Sequence, residues 1–120
     1  MNAQEVFNRN WEVFVVQGYG RSRNYSNVCV YVTKNHPGCA VGCCLTDEMK
    51  AQIIQQNVND RGIDRLFKAL PYIEEYFDTS RDFLVAMQDW HDGNVDGDPE
   101  HAAKGLKQLA NDWGLEVPED

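Results

Sequence analysis

The sequence predicts an α+β fold, a single helix-rich domain over residues 1–120 with about five helices packed around a short two-stranded β-hairpin. Three observations point there. Apolar residues recur at helical spacing over most of the chain, and two short runs rich in β-branched and small apolar residues flank a turn near the middle. The prolines Pro37, Pro71, Pro99 and Pro118 all fall where an element would start or stop.

The first helix is drawn by Val6, Phe7, Trp11, Phe14 and Val15, an apolar stripe halted by Gly18 and Gly20. Residues 19–27 are polar and turn-rich, and residues 28–33, VCVYVT, form a run of strand length. Lys34-Asn35-His36-Pro37-Gly38 is a compact connection to a second apolar run, Cys39-Ala40-Val41-Gly42-Cys43-Cys44-Leu45. These two runs read as the hairpin, which needs helices over one face because two strands alone are marginal. Thr46 then reads as an N-cap followed by Asp47 and Glu48, acids that favour the positive end of a helix carrying Met49, Ile53 and Ile54. Ile63, Leu66, Phe67 and Leu70 fall at i, i+3, i+4 and i+7, so a third helix ends near Pro71, with a further turn or two on Tyr72, Ile73, Tyr76 and Phe77. Ser80 caps the next helix, on Phe83, Leu84, Met87 and Trp90, and the Gly- and Asp-rich residues 92–98 end it. Asp98-Pro99 opens the last, with Ala102, Ala103, Leu106, Leu109, Ala110 and Trp113 facing inward and Gly114 as terminator.

Composition narrows the function. With 120 residues, 42% hydrophobic and 25% charged, the chain has one modest core and is not disordered overall. No apolar run approaches the roughly 18 residues of a membrane span, and the start, MNAQEVFNRNWEVF, lacks the basic-then-apolar order of a signal peptide. The expected setting is therefore the cytoplasm, with Cys29, Cys39, Cys43 and Cys44 as thiols and not a disulfide framework. Net charge is −8, and residues 72–100 hold nine carboxylates against Arg81 alone. Such a field repels phosphates and acidic membranes and favours a basic partner or a cation, so direct nucleic-acid binding is not expected.

Several residue groups are candidate sites. His36, Cys39, Cys43 and Cys44 are donor types that suit zinc, with a fourth ligand to come from Cys29, His91 or His101; the competing reading is small buried hydrophobes. Asp92, Asn94, Asp96 and Asp98 alternate like the opening of an EF-hand calcium loop, with Gly97 at the sixth position, but Pro99 stands at the eighth and Ala103 replaces the twelfth-position glutamate. A polar interhelical loop explains the same residues. Cysteine–histidine pairs drawn from Cys39, Cys43, Cys44, His36, His91 and His101 lack any local catalytic signature, and no catalytic residue is assigned. Arg21, Arg23 and Lys34 are candidates for a local basic pocket. Glu74, Glu75, Asp78 and Asp82, at spacings of one, three and four, form a negative ridge beside Tyr76 and Phe77 if the stretch is helical.

The stretch Cys39-Ala40-Val41-Gly42-Cys43-Cys44-Leu45-Thr46-Asp47-Glu48 resembles a signature, C-A-I/V-G-C-L-I/L-P-D-E, of small proteins encoded by tailed bacteriophages and prophages. Phe83-Leu84 through Gln88 to His91-Asp92 and the closing Trp113-Gly114-Leu115 look like that family's later helices in order. Cys44 replaces the family's leucine and Thr46 its proline, which fits a core run leading into a capped helix. The resemblance implies a phage origin and the cytoplasm of an infected bacterium, and brings no activity or catalytic residue. Charge and context together predict a phage-encoded binding protein, not an enzyme, with no cofactor. It is expected to dock on a basic surface of a host protein complex, such as an anti-CRISPR target, and inhibit it through Glu74, Glu75, Asp78, Asp82 and Tyr76. A small metal-binding protein and a nucleotide-sequestering protein are the alternatives.

Overall fold

Local capping chemistry sets the helix boundaries. The computed structural model describes residues 1–23 and 30–118, and in them six α-helices: α1 (Ala3–Asn10), α2 (Asp47–Gln55), α3 (Ile63–Ala69), α4 (Pro71–Tyr76), α5 (Arg81–Asn94) and α6 (Pro99–Trp113). Thr46, Ser80 and Asp98 accept hydrogen bonds from the backbone N–H groups of Met49, Phe83 and Glu100 at 3.2, 3.1 and 3.0 Å. Pro99 occupies the first turn of α6, and Gly114 closes that helix at φ +66°, a left-handed conformation that suits glycine. Asn2 and Glu5 add a reciprocal capping box on α1.

Beyond Asn10, the first helix widens into a π-helical turn, Trp11–Val16, with Gln17 N–H donating to the Glu12 carbonyl at 2.9 Å. That turn buries Trp11, Val13 and Phe14 and leaves Val16 on the surface. It packs against α6, which packs in turn on α5, while α3 joins α4 and α5. Phe7, Phe14, Ile53, Leu66, Ile73, Phe83, Leu84, Met87 and Leu106 fill the centre. Trp90 ties α5 to α6 by donating its indole N–H to the Ala102 carbonyl at 3.1 Å. Ile54 and Trp113 depart from the expected inward set: they are 55% and 41% exposed, although the Trp113 ring meets Phe83 edge-on. No helix among the described residues is long and apolar enough to cross a membrane.

The hairpin is not there, and the fold is not α+β. Among the described residues no β-strand forms; Val28 and Cys29 of the first run, with Tyr25, lie outside them. The expected turn survives as a single antiparallel bridge between Thr33 and His36, with Asn35 at φ +60°. Its neighbours pair elsewhere. Asn59 takes the place of a partner strand, accepting from Val32 N–H at 2.8 Å, donating to Val32 O at 2.8 Å, and accepting Tyr31 N–H at its own carbonyl at 3.2 Å. A side-chain amide offers the same donor and acceptor as a peptide group, so one asparagine ends the need for a second strand.

The second run coils instead of extending. Cys43 N–H bonds to Cys39 O at 2.9 Å, and Gly42–Cys44 make a 3₁₀ turn with Leu45 N–H on Gly42 O at 3.1 Å. All of residues 39–45 are buried, so their remaining backbone groups must be met from within the protein. Four side chains from three helices do this: Asn10 donates to Ala40 O, Arg9 to Cys43 O, Tyr76 to Cys44 O, and Gln88 accepts from Val41 N–H, at 3.0, 3.0, 2.8 and 3.0 Å. The turn lies flat on the first run because Gly42 has no side chain; a Cβ there would collide with the Tyr31 carbonyl and its backbone. Gly42→Ala is expected to lower unfolding free energy by about 3 kcal/mol, the upper part of the overpacking range, since backbone lies on both sides of the collision. Urea denaturation measures this, and a loss under about 1 kcal/mol would mean the turn can lift off the first run.

Candidate functional site

The amphipathic pattern of α5 decides which of its carboxylates share a face. Phe83, Leu84, Met87, Trp90 and His91 turn inward, which leaves Asp82, Val85, Asp89 and Asp92, spaced three, four and three apart, on one outer face. Val85 is 40% exposed among them. In the short helix α3, Ile63, Leu66 and Phe67 are buried, and Asp64 and Arg65 face out.

Between these two surfaces lies a cleft of about 520 Å³. Val85, Gln88, Asp89 and Asp92 form one wall and residues 60–65 the other, with buried Val30, Tyr31 and Cys39 as floor. The lining holds the carboxylates of Asp60, Asp64, Asp89 and Asp92 and the guanidinium groups of Arg61 and Arg65, an acidic excess. Arg61 sits 3.6 Å from the adjacent Asp60. Arg81 binds Asp64 at 2.9 Å and Glu74 at 2.6 Å, and its guanidinium covers the Phe67 ring 5.3 Å away; the hydrogen bonds it donates to Glu74 first, then to Asp64, hold its charge more firmly than usual. Asp92 accepts from Nδ1 of the fully buried His91 at 3.0 Å, and the Arg21 guanidinium donates to the Asp92 backbone carbonyl at 3.0 Å.

The floor is chemically quiet at neutral pH. Burial pushes the Cys39 thiol up to about 12, against which the hydrogen bond from Gly42 N–H works only in part, and burial likewise raises the Tyr31 phenol. Neither supplies an anionic nucleophile at pH 7. Burial also raises Cys43. What the cleft offers is recognition: an apolar floor with fixed carboxylates on its rim.

The zinc candidates are committed elsewhere. His36 donates from Nε2 to Gly20 O at 2.6 Å and accepts Gly38 N–H at Nδ1 at 2.9 Å. Cys39 accepts from Gly42 N–H at 3.4 Å, and Cys43 and Cys44 both donate to Ala40 O, at 3.5 and 3.6 Å. Cys29 lies outside the described residues, among which no group of three His, Cys, Asp or Glu side chains is placed to hold a metal. The calcium candidates are spent on helix ends: Asp98 caps α6, and Asp96 accepts from Asp98 N–H at 3.0 Å and from His101 at 2.9 Å, the latter holding its carboxyl below the usual range. Asn94 sits 3.5 Å from the other nitrogen of His101. Of the basic trio, Arg21 is turned onto α5, the Arg23 carbonyl accepts from Thr33, and Lys34 is exposed at the turn.

The acidic ridge is divided by the chain. α4 stops at Tyr76, and Phe77 is extended at φ −91°, ψ 116°, so Glu74 and Glu75 belong to one helix, Asp78 to a link, and Asp82 to the first turn of α5. Glu74 is held by Arg81, and Tyr76 points its hydroxyl inward to Cys44 O. Glu75, Asp78 and Asp82 remain exposed. The cleft residues Asp60, Arg61, Asp64, Arg65 and Asp89 were not singled out from sequence; the spacing of Asp82, Asp89 and Asp92 around an inward stripe was the available signal. No protein-family model matches the chain, and neither a curated protein nor a solved structure matches it.

Proposed function

We propose that this chain is a non-catalytic binding protein that docks on a basic surface of a partner protein complex and blocks it, using the cleft between α3 and α5. The observation that carries the reading is the α5 face on which Val85, Asp89 and Asp92 line that cleft, with Asp82 on the same face one turn earlier, beyond the lining. Carboxylates on a rim around an apolar floor suit lysine or arginine side chains on a structured partner: the floor takes the aliphatic stems and the rim takes the charges. Net charge of −8 adds long-range attraction for such a partner and repulsion for free nucleic acid. The likeness of residues 39–48 to the phage signature supports a host-inhibitor setting, in the cytoplasm of an infected bacterium, with a defence complex as target.

The test is capture of partners by the tagged chain from bacterial lysate, with mass spectrometry of what is held. A nucleic-acid-handling complex is expected at about 50 mM salt and should be lost at about 500 mM, where screening shortens to a few ångströms. Recovery of no partner at either salt, or a partner equally retained at both, overturns the electrostatic reading.

A further inference from the structure

The π-helical turn sets the Phe14 ring between two imidazoles, 6.3 Å from the centroid of His36 and 5.2 Å from that of His91. Their bonding differs. A carboxylate only accepts, so His91 donates Nδ1–H to Asp92, and its buried Nε2 has no hydrogen-bond partner. His36 is used at both nitrogens: Nδ1 accepts the Gly38 N–H, which fixes the remaining proton on Nε2, and that proton goes to Gly20 O. One neutral tautomer thus joins the chain just after the first helix to the start of the buried turn. A second proton has only Nδ1 to go to, where it meets the Gly38 N–H head-on.

We propose that His36 is an acid-opened latch: neutral, it ties residues 18–22 to residues 36–38, and protonated, it loses the Gly38 end of that tie and lets the two segments part. The groups around it favour the neutral form. Burial removes water from a ring about half enclosed; Lys50 of α2, bound to Pro37 O at 2.9 Å, and His91 of α5 disfavour a second positive charge nearby. Asp92, the acid at that end of α5, is engaged by His91, and Tyr19 presents a neutral ring 5.2 Å away. Burial first, with His91 and Lys50 adding to it and the Gly20 carbonyl opposing, holds His36 below its ordinary 6.5. A depressed histidine favours the folded state at neutral pH and loses that advantage as pH falls below 6.5, because the unfolded chain takes the proton first. Ser22 O holds Val30 N–H at 3.0 Å, so opening also loosens a stretch that lines the cleft. The latch itself does not depend on what the cleft binds.

The experiment is amide hydrogen exchange of the full chain between about pH 7.5 and about pH 5.5, corrected for intrinsic exchange, alongside NMR titration of the histidine rings. Exchange in residues 18–22 and 36–42 is expected to rise about tenfold, the equivalent of one net hydrogen bond, with its midpoint on the His36 ring titration. His36→Gln, which keeps a donor for Gly20 but cannot be protonated, should lack that rise. A His36 ring that titrates while these amides stay protected overturns the latch, as does the same rise in His36→Gln, which would assign the response to His91. Should His36→Gln fail to fold, the coincidence of ring titration and exchange in the unaltered chain decides the matter alone.

Discussion

Replacing Asp82 and Asp89 by lysine together is expected to weaken partner binding by about 100-fold or more, with inhibition lost in proportion and the fold retained. Both side chains are exposed on the outer face of α5, so neither change opens the core. Asp82 lies in the first turn, where a lysine faces the positive end of the helix; that costs about 0.5 kcal/mol and should show as a small fall in melting temperature. Against a basic partner, each reversal turns an attraction into a repulsion, and close pairs across an interface are coupled by about 1.5 kcal/mol or more. Most of the loss at low salt belongs in the association rate, since steering falls with the field. Glu75→Lys with Asp78→Lys makes the same change in net charge on residues that belong neither to the α5 face nor to the cleft lining and should alter affinity by no more than about threefold. If that second pair carries the loss and the first does not, the docking face is the end of α4. If both pairs behave alike, net charge and not a face drives binding.

Helix ends were legible because their signals are local. Thr46, Ser80, Asp98-Pro99 and Gly114 act within one turn, and each does in the fold what its residue type requires. The same rule contradicts a helix running unbroken from Glu74 to Asp82, because a Ser80 that caps α5 must stand outside a helix with extended backbone. Residues 39–45 were not legible. A run buried on every side has no periodicity to tell strand from turn, and its conformation here depends on Asn10, Tyr76 and Gln88, which are distant in sequence. The pairing of Asn59 with Val32 is invisible for the same reason: nothing in an asparagine twenty-seven positions on announces that it will replace a strand. The candidate site divides likewise. Its α5 wall is written in the spacing of Val85, Asp89 and Asp92, whereas its α3 wall exists only because Ile63, Leu66 and Phe67 bring that helix against α5.

Asn10→Asp should destabilise the protein by about 3–5 kcal/mol at neutral pH, a fall in melting temperature of more than about 10 °C. Asn10 is fully buried, and its Nδ2 donates to Val6 O at 2.9 Å and to Ala40 O at 3.0 Å, joining the end of α1 to the buried turn. Two carbonyl partners fix which way the amide faces. An aspartate of the same shape sets an oxygen where a donor stood, leaves Ala40 O without a bond from it, and places a negative charge against two acceptors. The charged form is so disfavoured that the side chain holds its proton to higher pH, and a protonated carboxyl restores one donor to one carbonyl. A folded-state pKa raised above the unfolded value of about 3.9 makes the penalty largest at neutral pH and smaller as pH falls toward that value. Measured as a difference from the unaltered chain at each pH, this leaves out the acid response of His36, which both share. Asn10→Ala separates charge from bonding: it loses the same donors without gaining a charge, and its cost of about 1–3 kcal/mol should not change with pH. An Asn10→Asp protein within about 1 kcal/mol of the unaltered chain at pH 7 would mean that the bond to Ala40 does not hold the buried turn in place.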